Sequence, residues 1–177
     1  MAANTTTSVS RYNPPVVEMQ DTITRLANAT AYVIGDIISD HATVPTAAGY
    51  YTFDTKHKKG ASVRFTDFTF YKSDTDTTNA AFDLLLFTTL PALANLDDGE
   101  PAKITDAEML FCKGRIRFAA GTSWSTLILG DLQTVRAQTD VVLLSTSAIV
   151  YGVLTAAAAY TPASGEILTI TAHAELR

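Results

Sequence analysis

Cysteine is nearly absent from this sequence, which has only Cys112 among its 177 residues. A single cysteine excludes an intrachain disulfide. Its neighbours Leu110 and Phe111 are apolar, which predicts a buried and unreactive thiol. Catalysis by a cysteine would also need a nearby base, and the sequence around Cys112 offers none. We therefore expect no thiol chemistry.

Histidine is also scarce, and the sequence motifs of common enzyme active sites are missing. His41, His57 and His173 are far apart and lack the spacing of metal ligands. No phosphate-binding loop, dinucleotide-binding glycine motif or nucleophile elbow is present. The acidic runs at 74–76 and 97–100 do not fit a calcium-binding loop and are interpreted as solvated turns. We therefore predict that the protein is not an enzyme and has no catalytic, cofactor-binding or metal-binding residues.

Positive charge is low, with 13 Lys and Arg against 18 Asp and Glu and a formal net charge of −5. This balance argues against a protein whose affinity comes from contacts with nucleic-acid phosphates. The one basic cluster consists of Lys56, His57, Lys58 and Lys59. Its two interpretations are a solvated loop between strands and a contact with an anionic patch on a partner.

Long apolar runs are missing as well. The longest candidate, residues 148–159, is shorter than the roughly 18 residues of a membrane span and is rich in small residues. Residues 1–10 have neither a basic start nor an apolar segment, so we expect no signal peptide. The sequence therefore predicts no membrane partner.

The densest apolar block lies at residues 61–90, where two β-rich runs flank a Ser/Asp/Thr/Asn linker at residues 73–79. This pattern predicts a strand, a turn and a second strand. Both strands carry large apolar side chains on two faces, so the second face needs a cover from a loop, an N-terminal arm or another subunit. A change of phase near Thr66 and Asp67 predicts either burial of both faces or a β-bulge.

The rest of the chain reads as short strands with turns, about eight strands in all. Thr105 followed by Glu108 predicts a capping box and one short helix at 106–111, which Gly114 ends. Residues 166–176 alternate in the clearest strand pattern, with His173 on the polar face. Because no strand–helix–strand alternation occurs, we predict an all-β, antiparallel two-sheet sandwich of jelly-roll type. An immunoglobulin-like sandwich is the second choice.

The N-terminal region differs in composition from the remainder. Residues 1–10 are rich in Thr, Ser, Ala and Asn, and the Pro14–Pro15 pair favours an extended backbone. We assign residues 1–22 to an extended N-terminal arm and residues 23–177 to the sandwich domain. The arm is interpreted either as a frayed terminus or as a segment that orders along a neighbouring subunit. Val16–Ile23 fits both a first strand and part of the arm.

Three segments together form a recognisable pattern. They are residues 30–38 (TAYVIGDII), residues 80–87 (AAFDLLLF), and residues 148–154 (AIVYGVL) with 159–166 (AYTPASGE). In this order and spacing they resemble small virion proteins of tailed bacteriophages, namely capsid decoration, or cement, proteins and related head-associated proteins. The resemblance covers about residues 25–172 and excludes the arm.

The resemblance implies a β-sandwich that binds the outer capsid surface and bridges capsomers, often as a trimer. The implied partners are the major capsid protein and further copies of the chain, in a virion protein made in the host cytoplasm. No catalytic residue is carried over. Our own candidates for partner contact are Arg11, Tyr12, Pro14 and Pro15 of the arm and Lys56, Lys58 and Lys59 of the basic cluster.

Two alternative functions stay open. One is another virion component, such as a head fibre or a tail protein. The other is a carbohydrate-binding jelly-roll module, in which Tyr50, Tyr51 and Trp124 would form an aromatic platform, although burial in the core is the competing interpretation of these three residues.

Overall fold

A computed structural model describes residues 15–27, 30–40, 49–56, 62–73, 80–93, 97–120, 123–126, 130–139, 141–144 and 148–176. The described chain forms ten strands and one helical turn. In chain order they are β1 (Val16–Thr24), β2 (Tyr51–Asp54), β3 (Ser62–Ser73), β4 (Phe82–Phe87), α1 (Asp106–Met109), β5 (Cys112–Phe118), β6 (Ser123–Thr126), β7 (Gly130–Gln138), β8 (Val142–Leu144), β9 (Ile149–Ala156) and β10 (Ile167–Leu176). None of the described helical residues makes a segment long and apolar enough to cross a membrane.

The strands form two antiparallel sheets with jelly-roll connectivity. One sheet has the order β1-β10-β3-β7-β6, with β8 also paired to β3, and the other has the order β2-β9-β4-β5. The chain crosses between the sheets from β1 to β2, β2 to β3, β3 to β4, β5 to β6, β8 to β9 and β9 to β10. Four strands of each sheet therefore follow the jelly-roll order, and β6 and β8 extend the first sheet. The predicted all-β two-sheet sandwich is confirmed.

The first strand begins earlier than the predicted boundary at residue 23. Val16–Thr24 pair with β10 over their whole length, from Val16 opposite Glu175 to Thr24 opposite Ile167. Met19 and Ile23 point into the core, whereas Val16 stays 67% exposed. Residues 16–22 are thus part of the sandwich, and the strand interpretation of Val16–Ile23 is confirmed.

A bulge resolves the change of phase in β3. His173 of β10 lies opposite Asp67, and the next residue, Ala174, lies opposite Phe65. Thr66 is therefore the extra residue, and its hydroxyl donates to the His173 carbonyl oxygen at 3.2 Å. The bulge resets the alternation, so Phe65 and Phe68 both face the core and stack with ring centroids 5.1 Å apart.

The chain itself covers the second face of the four-stranded sheet. Phe82, Leu84 and Leu86 of β4 enter the core between the sheets. Phe87 enters a second apolar cluster on the outer face; Ile37, Tyr50, Leu93 and Val153 are its other buried members. Segments 36–40, 91–93 and 97–105 therefore supply the cover that the sequence left open among a loop, the arm and another subunit.

Two local predictions need correction. The capping box at Thr105 and Glu108 is present, but the helix ends at Met109 rather than Phe111. Gly114 does not end it, because Gly114 lies inside β5, opposite Leu86. Strand β7 was not predicted; its Gly130–Gln138 segment pairs with β3 from Ser73 to Asp67.

Candidate docking surface

Of the residues predicted to contact a partner, Pro15 and Lys56 lie in the described part of the chain, beside strands of different sheets. Pro15 is exposed, and its carbonyl oxygen accepts from the Leu176 amide at 3.0 Å. Lys56 is also exposed, follows the strand β2 of the other sheet, and has a positive φ of 54°. Arg11, Tyr12, Pro14, Lys58 and Lys59 lie outside the described residues, so their role stays a prediction.

The acidic turn at 97–100 is not the solvated turn that the sequence predicted. The Asp98 side chain is 1% exposed and pairs with the fully buried Arg25 at 2.8 Å. Tyr32 also donates its hydroxyl to Asp98, and the Ser39 amide donates to it at 3.2 Å. Burial first, and then the bond to Asp98, raises the pKa of Tyr32 well above its ordinary value. These contacts within the chain hold the loop at 97–100 against the sandwich.

A second cluster of buried polar side chains lies next to the one around Asp98. Lys72 pairs with Glu166 at 3.1 Å, with both side chains at 1% exposure or less. Tyr160 donates to Glu166 at 3.4 Å and stacks on Tyr32 with ring centroids 5.1 Å apart. Burial raises the pKa of Tyr160 far above its ordinary value, so this phenol stays protonated. These groups lie in a filled interior, which indicates a structural role rather than a reactive one.

Three consecutive apolar side chains are exposed between α1 and β5. We call Met109, Leu110 and Phe111 the 109–111 ridge; their exposures are 48%, 72% and 47%. The capping box holds the ridge, because Thr105 and Glu108 fix the start of α1 and the Phe111 amide donates to the Glu108 carbonyl. The predicted burial of the Cys112 thiol is only partial, because Cys112 is half-buried and its neighbours Leu110 and Phe111 are exposed. Three large side chains in a row are instead presented to solvent.

A groove runs between this ridge and β8. We call it the β8 groove; it encloses about 490 Å³ and is lined by Thr88, Thr89, Leu110, Phe111, Lys113, Val142 and Leu143. Val142 is 52% exposed, whereas Leu143 belongs to the core. The groove floor is thus continuous with the interior, and its walls combine the apolar side chains of Leu110, Phe111 and Val142 with Thr88, Thr89 and Lys113.

The chemistry of the groove suits binding rather than catalysis. Among the described lining residues, Lys113 carries the only charged side chain, and its ammonium already donates to the Leu110 carbonyl oxygen at 2.6 Å. Cys112 is half-buried beside the ridge, and burial raises the pKa of its thiol, which keeps it protonated. The mostly apolar lining suits an apolar ligand or protein segment.

The aromatic platform proposed for the carbohydrate-binding alternative is not available. Tyr50 is 4% exposed and Tyr51 is fully buried. Their hydroxyls donate to backbone carbonyl oxygens of Pro91, at 2.6 Å, and of Leu168, at 3.1 Å. The core interpretation of both tyrosines is confirmed, whereas the side chain of Trp124 lies outside the described part.

The groove is not predicted from the sequence, because its walls come from three segments that are separate in the chain. The local signal for it is the Met-Leu-Phe triplet at the end of the predicted helix. Among the described residues, no group of three or more His, Cys, Asp or Glu side chains could hold a metal ion. Compared with known proteins, the chain matches no protein-family model and no curated protein.

Proposed function

We propose that this protein is a structural component of a bacteriophage virion that binds the outer capsid surface as a decoration protein. The observation that carries the proposal is the 109–111 ridge with the β8 groove, an apolar surface on a jelly roll whose interior is otherwise filled. Exposed apolar clusters of this kind mark surfaces that become buried on association. The resemblance of residues 25–172 to capsid decoration proteins supplies the identity of the partner.

The architecture supports a binding role without a reaction. The aromatic and aliphatic core between the sheets, together with the outer cluster around Phe87, fills the interior. The buried polar groups centred on Asp98 and Glu166 hold loops and strands together. A rigid scaffold loses little conformational entropy on binding, and many copies on a shell lattice bind by multivalency even if each contact is weak.

The test is co-sedimentation with shells assembled from the major capsid protein of the genome that encodes this chain. We expect the purified protein to bind in many copies per shell. The variant Leu110→Ser/Phe111→Ser should bind at least about tenfold more weakly, because apolar side chains at the centre of an interface carry much of its energy. Urea unfolding of the free variant should change by less than about 1 kcal/mol, since both side chains are exposed.

A matched control is Ile34→Ser, which removes an aliphatic side chain with 74% exposure from a different loop. This control should bind shells like the wild type. Equally weak binding of Ile34→Ser and Leu110→Ser/Phe111→Ser would show that the groove is not the capsid-binding surface. Absence of the wild-type protein from the shell pellet, together with saturable glycan binding, would replace the proposal by the carbohydrate-binding alternative.

A further inference from the structure

Strand β5 is an edge of the four-stranded sheet in the described part of the chain, where β4 pairs with it. Hydrogen bonds of an antiparallel pair alternate, so every second residue of an edge strand directs its backbone N–H and C=O away from the sheet. The Ala157 amide donates to the Ala81 carbonyl oxygen, so odd-numbered residues of β4 bond to β9 and even-numbered ones bond to β5. Ile116 lies opposite an even-numbered residue and bonds to β4, whereas Arg115 and Arg117 direct their backbone groups outward.

The same two residues present cationic side chains on the outer face of β5. The side chains of Arg115 and Arg117 are 58% and 47% exposed. Both contact the single carboxylate of Asp83, Arg115 through its Nε at 3.1 Å and Arg117 through its Nε and Nη2. Their other guanidinium N–H groups can donate to a further carboxylate. The exposed Lys113 adds a third cation, so β5 is a basic row in a chain whose formal net charge is −5.

This basic row determines which strands β5 can accept. Charged side chains on an edge strand oppose pairing with a strand of the same kind. A second copy of β5 in antiparallel pairing would place arginine and lysine side chains opposite one another, where like charges are destabilising. The same row favours a strand that carries carboxylates, because opposite charges on neighbouring strands attract.

The register of an added strand specifies the rest of its pattern. Residues directly opposite each other on neighbouring strands share a face, so the positions opposite Arg115 and Arg117 suit acidic side chains. The position between them lies opposite Ile116, which is 3% exposed and belongs to the core between the sheets, so this position suits an apolar side chain. Lys113 also lines the β8 groove, so a strand on β5 would be continuous with that apolar surface.

We propose that the edge of β5 binds an extended protein segment with the pattern acidic–apolar–acidic, which adds to the four-stranded sheet as a further strand. Backbone hydrogen bonds to Arg115 and Arg117 supply affinity, and their guanidinium groups select the two carboxylates. This inference rests on the proposed function only in naming the capsid as the source of the segment. The preference for the pattern belongs to the isolated protein.

The test is an amide NMR titration of the isolated protein with the capped peptide Thr-Thr-Glu-Val-Glu-Thr-Thr, followed to about 5 mM peptide. We expect saturable shifts centred on residues 113–117. The isomer Thr-Thr-Val-Glu-Glu-Thr-Thr has the same charge but cannot place both carboxylates on one face, and should bind at least about tenfold more weakly. Equal binding of the two peptides would overturn the proposal by showing charge attraction alone, and so would an absence of saturable shifts.

A pair of variants locates the binding surface. Arg115→Gln/Arg117→Gln should weaken binding of the first peptide at least about tenfold. The matched control Lys56→Gln/Lys103→Gln removes the same charge from two exposed residues outside β5 and should bind like the wild type. Equal weakening in the two double variants would overturn the assignment to β5.

Hydrogen exchange of the wild-type protein separates strand addition from a contact of side chains alone. Near-saturating peptide should slow exchange of the Arg115 and Arg117 amides at least about fivefold, whereas the Ile116 amide, already bonded to β4, should not change. Unchanged exchange of the two arginine amides would overturn the proposal. Because no experiment here contains capsids, each can fail while co-sedimentation succeeds, so failure here is distinguishable from failure of the proposed function.

Discussion

Asp98 shows how one residue can determine whether a loop belongs to the fold. Its carboxylate pairs with Arg25 where both side chains are at most 1% exposed. The charge of Arg25 is disfavoured by burial, yet Tyr32 and Asp98 outweigh burial and raise its pKa. The pair is therefore charged in the interior, where each member depends on the other.

We predict that Asp98→Asn lowers the free energy of unfolding by about 3–5 kcal/mol, because it leaves the Arg25 cation buried without its counter-charge. Urea unfolding at pH 7 measures this change. The matched control is Glu175→Gln, which breaks the half-exposed pair with Arg64 and should change the free energy by less than about 1 kcal/mol. A loss for Asp98→Asn as small as that of the control would contradict the structural role of the buried pair.

At the scale of elements, α1 matters through the ridge that follows it. The helix has only four residues, so it depends on the Thr105 and Glu108 capping box rather than on length. Thr105→Ala should cost about 0.5–2 kcal/mol of local stability and speed amide exchange at residues 109–111. Thr105→Ser keeps the hydroxyl oxygen and should exchange like the wild type. Identical exchange in the two variants would show that the cap does not hold the ridge.

Strand β9 lies between β2 and β4, and both neighbours approach it closely at Gly152. A Cβ atom at Gly152 would lie 2.8 Å from Leu84 Cδ1 and 3.1 Å from Tyr51 Cβ. We predict that Gly152→Ala destabilises the protein by about 1–3 kcal/mol, because Leu84 and the β2 backbone must shift. Thermal unfolding measures the loss. Adding Leu84→Val should recover part of it in the double variant; strict additivity of the two changes would contradict the proposed close contact.

At the scale of the whole molecule, the buried phenols predict how stability depends on pH. Burial raises the pKa of Tyr32, Tyr51 and Tyr160 above the ordinary value of 10. A raised pKa in the folded state means that stability is complete below pH 10 and falls as pH rises above it, because only the unfolded chain releases these protons. Each tyrosine contributes at most about 1.4 kcal/mol per pH unit to this fall.

The measurement is urea unfolding at pH 8, 10, 10.5 and 11. We expect constant stability up to about pH 10 and a steep loss above it, with a smaller slope for Tyr160→Phe than for the wild type. Tyrosinate absorbance should report these three phenols only when the chain unfolds. Ionisation of these phenols near pH 10 in the native protein would contradict the prediction that burial raises their pKa.

Much of the fold was accessible from local patterns, and the exceptions have identifiable physical causes. The strands at residues 61–90 and 166–176 were recognised because their large or alternating apolar residues need a pleated surface. Strand β7 was missed because Gly130–Gln138 is rich in polar residues, and what defines it is pairing with β3. A strand that is specified by its neighbour leaves little trace in its own residues.

The candidate site was less accessible than the fold. No local pattern marks the exposed triplet Met109–Phe111, because apolar residues of this kind usually are buried. The acidic turn at 97–100 is predicted to be solvated because charged residues usually are exposed, yet Asp98 has its partner Arg25 73 residues away. In both places, burial depends on contacts between distant segments.

The sequence by itself determined that the chain is a β-sandwich, that α1 begins with a capping box, and that the alternation of β3 changes phase near Thr66. Each of these follows from interactions among residues close in the chain. Only the tertiary structure decided which loops cover the second face of β4, which polar groups are buried in pairs, and which apolar side chains stay exposed. Those outcomes depend on how distant segments compete for the same surface, and no local pattern encodes that competition.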